Sequence, residues 1–264
     1  MVIVKADESI LTDRHLIDKK LSADLPGDST SVGRVVRYAV LGAGQRLRPI
    51  LAVRIARALG CDGPHTLRAA VAVEMLHCAS LIVDDLPCMD DDPRRRNRAA
   101  VHIEFGEAKA VLAAFALVAL AAKSVADQPR FQIQLLSTLD CDSLIGGQAL
   151  DLELSGGSRN SQRSYVTALK TVPLFQLAAE AGSLSPSVSR EERHAALAFG
   201  TEFGVSYQLV DDYLDGEIDD LRPVTEQFDR ARECLEPFGE RASHLEDLLD
   251  YLNAKIWEDG RSHR

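Results

Sequence analysis

Residues 66–92 read TLRAAVAVEMLHCASLIVDDLPCMDDD, a long apolar segment that ends in an acidic run. Apolar side chains recur in it at spacings of three and four from Leu67 to Ile82, which predicts a helix over residues 66–86. The helix ends directly in five aspartates. Aspartates at a helix C-terminus face the negative end of the helix dipole, and neighbouring carboxylates repel one another. Because both effects are unfavourable, the sequence indicates that cations compensate the negative charge at this helix end.

The rest of the chain carries the same helical signature. Gly and Pro fall between the apolar segments, no strand or hairpin pattern is convincing, and no repeat or long polar linker divides the chain. The pattern predicts a loop over residues 22–32 and further helices over residues 107–126, 131–152, 162–181, 190–215 and 241–257. We therefore expect residues 1–264 to form one all-α domain.

Composition limits the classes of function. The chain has 264 residues, a formal net charge of −10 and 46% hydrophobic residues, which suits one sizeable core and argues against nucleic-acid or anionic-membrane binding. The five cysteines show no paired metal-ligand spacing. The longest apolar run, Ala110–Ala122, is too short for a bilayer, and the first residues lack the apolar region of a signal peptide. We expect reduced thiols, no integral membrane segment, no nucleic-acid partner and a cytoplasmic location.

A second acidic cluster ends another apolar helix. Asp211, Asp212 and Asp215 close the helix predicted over 190–215, and the first and last of them, four residues apart, share one helical face. One acidic run alone is equally well explained by a solvated turn, but two in one all-α chain suggest two acidic walls of one cavity. Oxygen-only ligands favour Mg²⁺ or Mn²⁺ over Zn²⁺, and Mg²⁺ commonly joins few carboxylates to phosphate oxygens. The sequence thus predicts a divalent-metal site for a phosphate or diphosphate.

Basic residues accompany the first acidic cluster. Arg94, Arg95, Arg96 and Arg98 follow it, and Gly44–Pro49 (GQRLRP) lies upstream beside a predicted turn. Each basic cluster alone would be a solvated face. Because arginine forks match phosphate geometry bidentately, a second phosphate site is the better interpretation beside an acidic, metal-suited motif.

The ordered set of motifs resembles the trans-isoprenyl diphosphate synthases, and within them the short-chain geranylgeranyl diphosphate synthases. The resemblance runs from about Val35 to Asp215. It rests on six segments, which in chain order are Gly44–Pro49 (similar to GKRxRP), Glu74–His77 leading into Asp84–Asp90 (the first aspartate-rich motif with two extra residues), Arg95–Arg96 (the paired arginines), Gly146–Asp151 (GGQxxD), Lys170–Thr171 (KT) and Gln208 with Asp211–Asp215 (the second aspartate-rich motif). One such motif is weak support, whereas the ordered set is highly specific. The resemblance implies an isoprenoid synthase-type helical bundle around a central cavity, and a homodimer.

The resemblance also implies a reaction, the head-to-tail condensation of isopentenyl diphosphate with an allylic diphosphate (dimethylallyl, geranyl or farnesyl). Three Mg²⁺ ions, which Mn²⁺ could replace, would hold the allylic diphosphate on Asp84, Asp85, Asp90, Asp211 and Asp215. Isopentenyl diphosphate would bind to Gln45, Arg48, His77 and Arg96. The allylic diphosphate and the cation formed from it would meet Arg95, Lys170, Thr171, Gln208 and Asp212.

Product length is implied by the fifth residue before the first aspartate, which in the family often forms the floor of the cavity. Here that residue is Ala79, and Ser80 follows it. An aromatic side chain at this position would stop the growing chain at fifteen carbons, whereas Ala79 leaves room for twenty. The expected main product is geranylgeranyl diphosphate.

Three departures from the family pattern keep alternatives open. Gln45 stands at the family's lysine, Asn97–Ala100 lack the glycine and proline of RRGxPT, and no lysine follows Asp215 before Lys255, where the family has a lysine-bearing loop. A catalytically weak subunit that modulates a partner is therefore one alternative, and a farnesyl diphosphate synthase is another. A terpene cyclase would share the fold and the first motif, but the second DDxxD motif argues against it.

Overall fold

The structure, a computed structural model, describes residues 2–154, 165–166 and 169–259, and within them the chain is a bundle of α-helices. The helices are α1 (Val2–Asp24), α2 (Ser31–Val40), α3 (Leu47–Ala58), α4 (Pro64–Asp84), α5 (Val101–Phe105), α6 (Glu107–Ser124), α7 (Pro129–Ser137), α8 (Leu144–Leu154), α9 (Val172–Gly182), α10 (Arg190–Leu214), α11 (Arg222–Glu233) and α12 (Ser243–Asp259). A 3₁₀ helix, Glu236–Ala242, connects α11 to α12. The all-α prediction is confirmed.

Helix α4 forms the centre of the bundle. It contacts α1, α2, α3, α6 and α9, and its apolar residues from Ala69 to Ile82 belong to the main core. It begins at Pro64, a residue favoured in a first turn, and ends shortly before Pro87, which disfavours helical geometry in the residue ahead of it. By length and composition α4 would suit a membrane span, but 67% of the relevant window is buried inside the fold, as in a core helix.

Four predicted helices are confirmed to within a few residues, as α4, α6, α10 and α12. The single helix predicted over 131–152 is wrong, because the chain turns between α7 and α8. In that turn the Asp140 carboxylate accepts a hydrogen bond from the Cys141 N–H at 2.7 Å, and such local pairing competes with a helix. Of the helix predicted over 162–181, residues 162–164 and 167–168 lie outside the described residues, and α9 forms its later part.

The loop predicted over residues 22–32 is shorter than expected. Helix α1 continues to Asp24, and α2 begins at Ser31 because the Thr30 hydroxyl caps it, accepting a hydrogen bond from the Gly33 N–H at 2.9 Å. Helices α1, α2, α3, α5 and α11 are absent from the sequence-based prediction. Several of them are short and flanked by polar or glycine-containing segments, so their periodicity is brief.

The expectation that the chain forms no hairpin is wrong. Strand β1 (Arg94–Arg95) pairs antiparallel with β2 (Arg98–Ala99), and Arg96 and Asn97 between them have φ angles of 52° and 65°. Two successive residues of positive φ form the type I′ turn that matches the twist of a two-residue hairpin loop, and asparagine adopts this geometry readily. The four-residue ladder is too short for alternation to reveal it, yet it fixes two arginines beside the acidic end of α4.

A buried arginine ties the first four helices together. Arg46 precedes α3 with a φ of 56° and is 3% exposed. Its Nη1 donates to Glu74 Oε1 of α4 at 2.6 Å, and its Nε donates to Asp18 Oδ1 of α1 at 2.9 Å. Its Nη2 donates to the carbonyls of Val40 and Gly42 at 2.6 and 3.1 Å. One guanidinium therefore holds α1, the end of α2 and the loop before α3 against α4.

A second buried arginine joins the two ends of the described chain. Arg54 of α3 donates through Nε to Asp13 Oδ2 of α1 at 2.8 Å and through Nη1 to the His244 carbonyl of α12 at 2.7 Å. Asp13 is buried and also accepts a hydrogen bond from Arg57 at 2.9 Å. Helix α1 is thus held at two points along its length, Asp13 and Asp18.

Replacing Glu74 by Gln should lower the free energy of unfolding by about 3 kcal/mol, because Arg46 would lose its closest buried negative partner. Urea denaturation followed by circular dichroism measures this change. Glu226→Gln, at an exposed position of α11, is the matched control and should change stability by less than about 0.5 kcal/mol. Unchanged stability of Glu74→Gln would contradict the structural role of the pair.

Candidate functional site

Two acidic clusters end helices α4 and α10. The first cluster contains Asp84 and Asp85 at the end of α4 and Asp90 in the following turn, where the Asp90 N–H donates to the Asp84 carbonyl at 2.9 Å. The second cluster contains Asp211 on α10 and Asp215 at its C-cap. The two extra residues of the first motif therefore fold back on the helix end, which brings Asp90 next to Asp84.

Burial changes the acidity of both clusters. Burial raises the pKa of Asp84 to about 6, against the opposing charge of Lys170 and with a further contribution from nearby carboxylates. In the second cluster, burial likewise raises the pKa of Asp211, while the Tyr207 hydroxyl and Lys255 oppose the shift. Burial therefore makes the charged form of both carboxylates unfavourable, and a bound cation would offset that cost.

Asp85 differs from its neighbours because it already has a cationic partner. It is buried, and Arg95 of the hairpin donates to its Oδ1 through Nη2 and, at 2.8 Å, through Nε. Arg95 Nη2 also donates to Asp92 Oδ2 at 3.2 Å. Asp85 therefore positions Arg95 and the hairpin, and its predicted contact with a metal stays a prediction.

A cavity of about 600 Å³ lies between α1, α3, α4, α10, the start of α9 and the hairpin. This volume is in the range of small-molecule binding sites. Eight predicted site residues line it, namely Gln45, Arg48, His77, Arg95, Arg96, Thr171, Gln208 and Asp211. Polar residues outside the predicted set also line it, among them Arg14, Arg46, Glu74 and Tyr207. Sequence order could not reveal Arg14, because it reaches the cavity from a separate helix.

Arg48 and His77 offer hydrogen-bond donors to this cavity. Arg48 Nη1 lies 3.2 Å from His77 Nε2, and its guanidinium lies 4.4 Å from the ring centre of Phe175. Burial, reinforced by the surrounding arginines, keeps the pKa of His77 well below its ordinary value. Because Arg48 can only donate, the neutral imidazole accepts at Nε2 and carries its proton on Nδ1. Arg48 Nε and His77 Nδ1 are buried without a hydrogen-bond partner among the described residues, which suits an oxygen-rich anion.

Arg96 lies against the loop that precedes α3. A β-carbon at Gly44 would stand 2.8 Å from the Arg96 guanidinium carbon, so a larger residue would displace the arginine. Arg96 Nη2 is 3.6 Å from Glu74 Oε1, which already accepts from Arg46, so much of the Arg96 charge is left for a ligand. Gln45, exposed and uncharged, lines the same cavity.

Lys170 lies between α8 and the first acidic cluster. Its Nζ donates to Asp151 Oδ2 at 3.0 Å and lies 3.9 Å from Asp90 Oδ2. Gly147 allows this approach, because a β-carbon there would stand 2.7 Å from the backbone of Leu169 and Lys170. The GGQxxD and KT segments are therefore in direct contact. Lys170 lies between Asp151 of α8 and Asp90 of the first acidic cluster.

Thr171, Gln208 and Asp212 form a hydrogen-bonded chain. The Thr171 hydroxyl donates to Gln208 Oε1 at 2.8 Å, and Gln208 Nε2 donates to Asp212 Oδ1 at 2.9 Å. The first two line the cavity, whereas Asp212 is buried and lies outside its wall. Asp212 therefore orients Gln208, and its predicted contact with the allylic diphosphate stays a prediction.

The two predicted chain-length residues lie on α4 outside the wall of this cavity, to which α4 contributes Glu74, His77 and Leu81. Ala79 is buried in the core, and the half-buried Ser80 donates its hydroxyl to the His77 carbonyl at 2.9 Å. Their role in product length stays a prediction.

The C-terminal helix returns a lysine to the second acidic cluster. Lys255 of α12 lies 5.4 Å from the ring centre of Tyr251, and its charge acts on Asp211. Helix α12 packs against α10, which is how a residue far along the chain reaches this end of the site. A lysine charge from α12 therefore acts on the second cluster, although no lysine follows Asp215 in the sequence before Lys255.

The acidic clusters fit a metal that arrives together with a phosphate-containing ligand. Within the described residues, no three Asp, Glu, His or Cys side chains are close enough to hold a metal ion by themselves. Mg²⁺ usually keeps several waters and is held by one or two carboxylates together with substrate phosphates. Carboxylates from two helices, whose pKa values burial raises and nearby basic groups lower only in part, match that donor set.

Comparison with known proteins matches the chain to one family. The model of the Polyprenyl synthetase family matches residues 29–221. The chain is 37% identical to a geranylgeranyl diphosphate synthase from Pantoea ananas. The alignment covers 94% of this chain and 87% of that relative. It is 33% identical, over 79% of its length, to heterodimeric geranylgeranyl pyrophosphate synthase large subunit 2 from Arabidopsis thaliana, and spans 59% of the length of that relative.

Solved structures share the whole bundle. An FPP/GFPP synthase from Zymomonas mobilis aligns with a TM-score of 0.85 at 29% identity, covering 94% of this chain and 99% of that chain. A geranyltransferase from Legionella pneumophila aligns with a TM-score of 0.84 at 26% identity, covering 100% of both chains. The helical bundle predicted from the sequence is the fold of these proteins.

Proposed function

The chain belongs to the polyprenyl synthetase family of prenyltransferases, which condense prenyl chains, and we propose that it joins isopentenyl diphosphate to an allylic diphosphate with Mg²⁺ as cofactor. We propose geranylgeranyl diphosphate as the main product. The name of the Pantoea ananas relative and its 37% identity over nearly the whole chain support this activity.

One observation carries the proposal, the presence of two kinds of polar surface around one cavity. Arg48, His77 and Arg96 supply hydrogen-bond donors to its wall and Asp211 supplies a carboxylate, while the first cluster lies at the end of α4 just after Leu81, which also lines the cavity. A diphosphate without a metal suits the donors, and a diphosphate that brings divalent cations suits the carboxylates. The proposed condensation needs one substrate of each kind.

The residues of the chain bind and orient the two substrates. Arg48, the Nδ1–H of His77 and Arg96 would hold isopentenyl diphosphate at the donor side of the cavity. Thr171 and Gln208 line the wall toward the second cluster, where the allylic carbon would lie. Their oxygen dipoles, fixed by the hydrogen bond between them, would stabilise positive charge as it develops on that carbon.

The allylic diphosphate would be held on Asp84, Asp90 and Asp211, with Asp215 in support. When bound there, Mg²⁺ supplies neutralisation of the charge on the leaving diphosphate. Lys170, placed beside Asp90, would add a positive charge from the protein side. The donors on one side and the carboxylates on the other support a separate end of the cavity for each substrate.

The bond changes require no nucleophilic side chain. The allylic carbon–oxygen bond breaks heterolytically, and the electron pair leaves with the diphosphate. The isopentenyl double bond supplies the electron pair of the new carbon–carbon bond. A proton is then lost to the departing diphosphate, which leaves a new double bond in the product.

A twenty-carbon product is proposed because Ala79 is small at the position that limits chain length in the family. A farnesyl diphosphate synthase is the second candidate, since the solved protein from Zymomonas mobilis is named an FPP/GFPP synthase. The carboxylates retained at both clusters favour an active enzyme over a catalytically weak subunit that modulates a partner. Such a subunit has no evident need for buried, mutually repelling charges.

We also propose that the chain forms a homodimer through α6 and its neighbours. Large apolar side chains are exposed on α6 and on α5 and α7, which contact it, namely Ile103, Val111, Leu112, Phe115, Ile133 and Leu136. Phe115 is 72% exposed. Extended apolar surfaces of this kind mark contacts with other chains, and a second copy would cover them.

The purified protein should convert isopentenyl diphosphate with dimethylallyl, geranyl or farnesyl diphosphate into longer products with Mg²⁺ and not with EDTA. Asp84→Asn and Asp211→Asn should each lower kcat by about 100-fold or more, because each removes a carboxylate that holds the metal. Asp91→Asn, an exposed aspartate in the same acidic run, is the control and should stay within about threefold of wild type. Absence of metal-dependent product from every primer would favour the modulating subunit.

Ala79→Tyr should shift the main product from twenty to fifteen carbons, because its ring would shorten the space for the growing chain. Chromatography of the dephosphorylated products measures this shift. Ala79→Ser keeps the position small and should keep the twenty-carbon product. Mainly farnesyl diphosphate from both the wild type and Ala79→Tyr would contradict the assignment, and thermal melting shows whether the larger side chain is accommodated.

Light scattering should give twice the mass of one chain in solution. The double variant Leu112→Glu/Phe115→Glu should give the mass of one chain, because it places charges in the apolar face of α6. Trp257→Glu, at an exposed apolar residue of α12, is the control and should remain dimeric. A monomeric wild type would refute the proposed dimer.

A further inference from the structure

We propose that Arg14 of α1 is a further binding residue for the diphosphate of isopentenyl diphosphate, and that it supplies the positive charge that Gln45 lacks. This inference rests on the proposed function, because it adds a contact for one of its substrates. Arg14 and Gln45 line the same 600 Å³ cavity, together with Arg48, His77 and Arg96. A cation from a different helix would thus complete a site whose motif lysine is missing.

The nearest arginine in the motif cannot fill this role. Arg46 follows Gln45 directly, but its guanidinium is buried and donates to Glu74, Asp18 and two backbone carbonyls. Turning it toward a ligand would leave the Glu74 carboxylate buried without its partner, which is strongly unfavourable. Its charge is committed to the fold, so the cavity needs another cation near Gln45.

Arg14 is placed next to that position by a shared carboxylate. Asp18 Oδ1 accepts from Arg46 Nε at 2.9 Å, and Asp18 Oδ2 lies 3.7 Å from Arg14 Nε. A separation of 3.7 Å is too long for a hydrogen bond. Among the described residues this is the one ion pair of Arg14, whose side chain is 37% exposed. Its guanidinium can therefore turn its donors toward a ligand in the cavity without breaking a hydrogen bond.

The segment of α1 that carries Arg14 is rigid. Asp13, the preceding residue, is buried and accepts hydrogen bonds from Arg54 and Arg57 at 2.8 and 2.9 Å. Asp18, one turn further on, is held by Arg46. With both flanking aspartates fixed, only the Arg14 side chain has to adjust, so ordering it on a phosphate requires little loss of backbone freedom.

The balance of charge in the cavity favours an anion at this end. Glu74 is paired with Arg46 and approached by Arg96, so little of its charge is left to compensate Arg14. An exposed ion pair four residues apart on a helix, such as Arg14 with Asp18, contributes little to stability. A diphosphate between Arg14 and Arg48 would be a far stronger partner than Asp18.

Steady-state kinetics of the full chain test this inference. Arg14→Gln should raise KM for isopentenyl diphosphate about five- to tenfold, the effect of losing one charge-assisted contact at a partly exposed site. KM for the allylic substrate should change by less than about twofold. Lys19→Gln, at an exposed lysine of the same helix, is the matched control and should leave both values unchanged. Adding Gln45→Lys to Arg14→Gln should return KM for isopentenyl diphosphate to within about twofold of wild type, because the charge is restored in the same cavity.

Two outcomes would overturn the inference while the proposed function stands. The first is that the wild type is active and Arg14→Gln leaves KM for isopentenyl diphosphate unchanged. The second is that Arg14→Gln raises both KM values equally and Gln45→Lys does not restore them. If the wild type makes no product, the proposed function fails, and calorimetric titration with isopentenyl diphosphate alone still decides the role of Arg14. Weaker binding by Arg14→Gln than by wild type and Lys19→Gln would support it. Equal binding, or no binding to any of the three, would refute it.

Discussion

The buried ion pair between Arg46 and Glu74 is the constraint on which the site depends. Arg46 lies at the junction of α1, α2 and α3, and its contact with Glu74 at 2.6 Å fixes that junction to the central helix. Glu74 is one turn before His77 on α4, and Arg46 is two residues before Arg48 on α3. The pair therefore sets the distance across which Arg48 and His77 meet. The same helix continues to the first acidic cluster, so one interaction aligns the donor side of the cavity with its carboxylates.

The charged residues of the site fall into two groups. Those in the first group are compensated within the protein and shape it, as Arg46 is by Glu74 and Arg95 by Asp85. Those in the second group, Asp84 and Asp211, form no ion pair with an arginine or lysine among the described residues, and burial raises their pKa values. The net charge of the chain is −10, yet the cavity contains a strongly basic end. Overall acidity argues against polyanion partners in general, but local separation of charge is what prepares the site for small anions and their metals.

The sequence predicted the bundle, four of its helices to within a few residues and eight residues of the cavity wall, because long apolar periodicity and the ordered motifs are strong signals. It missed the hairpin, whose ladder of two residues a strand is too short to alternate and whose Arg96 takes a positive φ that few would expect of arginine. It also missed the roles of Arg14 and Lys255, because each reaches the site from a terminal helix whose docking depends on tertiary contacts such as Arg54 with Asp13. Spacing identifies residues that share a helix face. It does not show which distant helix packs beside them.

We propose that the two acidic clusters bind an allylic diphosphate only together with divalent metal. Calorimetric titration of the wild type with geranyl thiolodiphosphate, an analogue whose carbon–sulfur bond does not ionise readily, tests this directly. We expect the analogue to bind in Mg²⁺. Its affinity should fall at least about 100-fold with EDTA, and by a similar factor in the double variant Asp84→Asn/Asp211→Asn. Equal affinity with Mg²⁺ and with EDTA, or full affinity without both carboxylates, would contradict it.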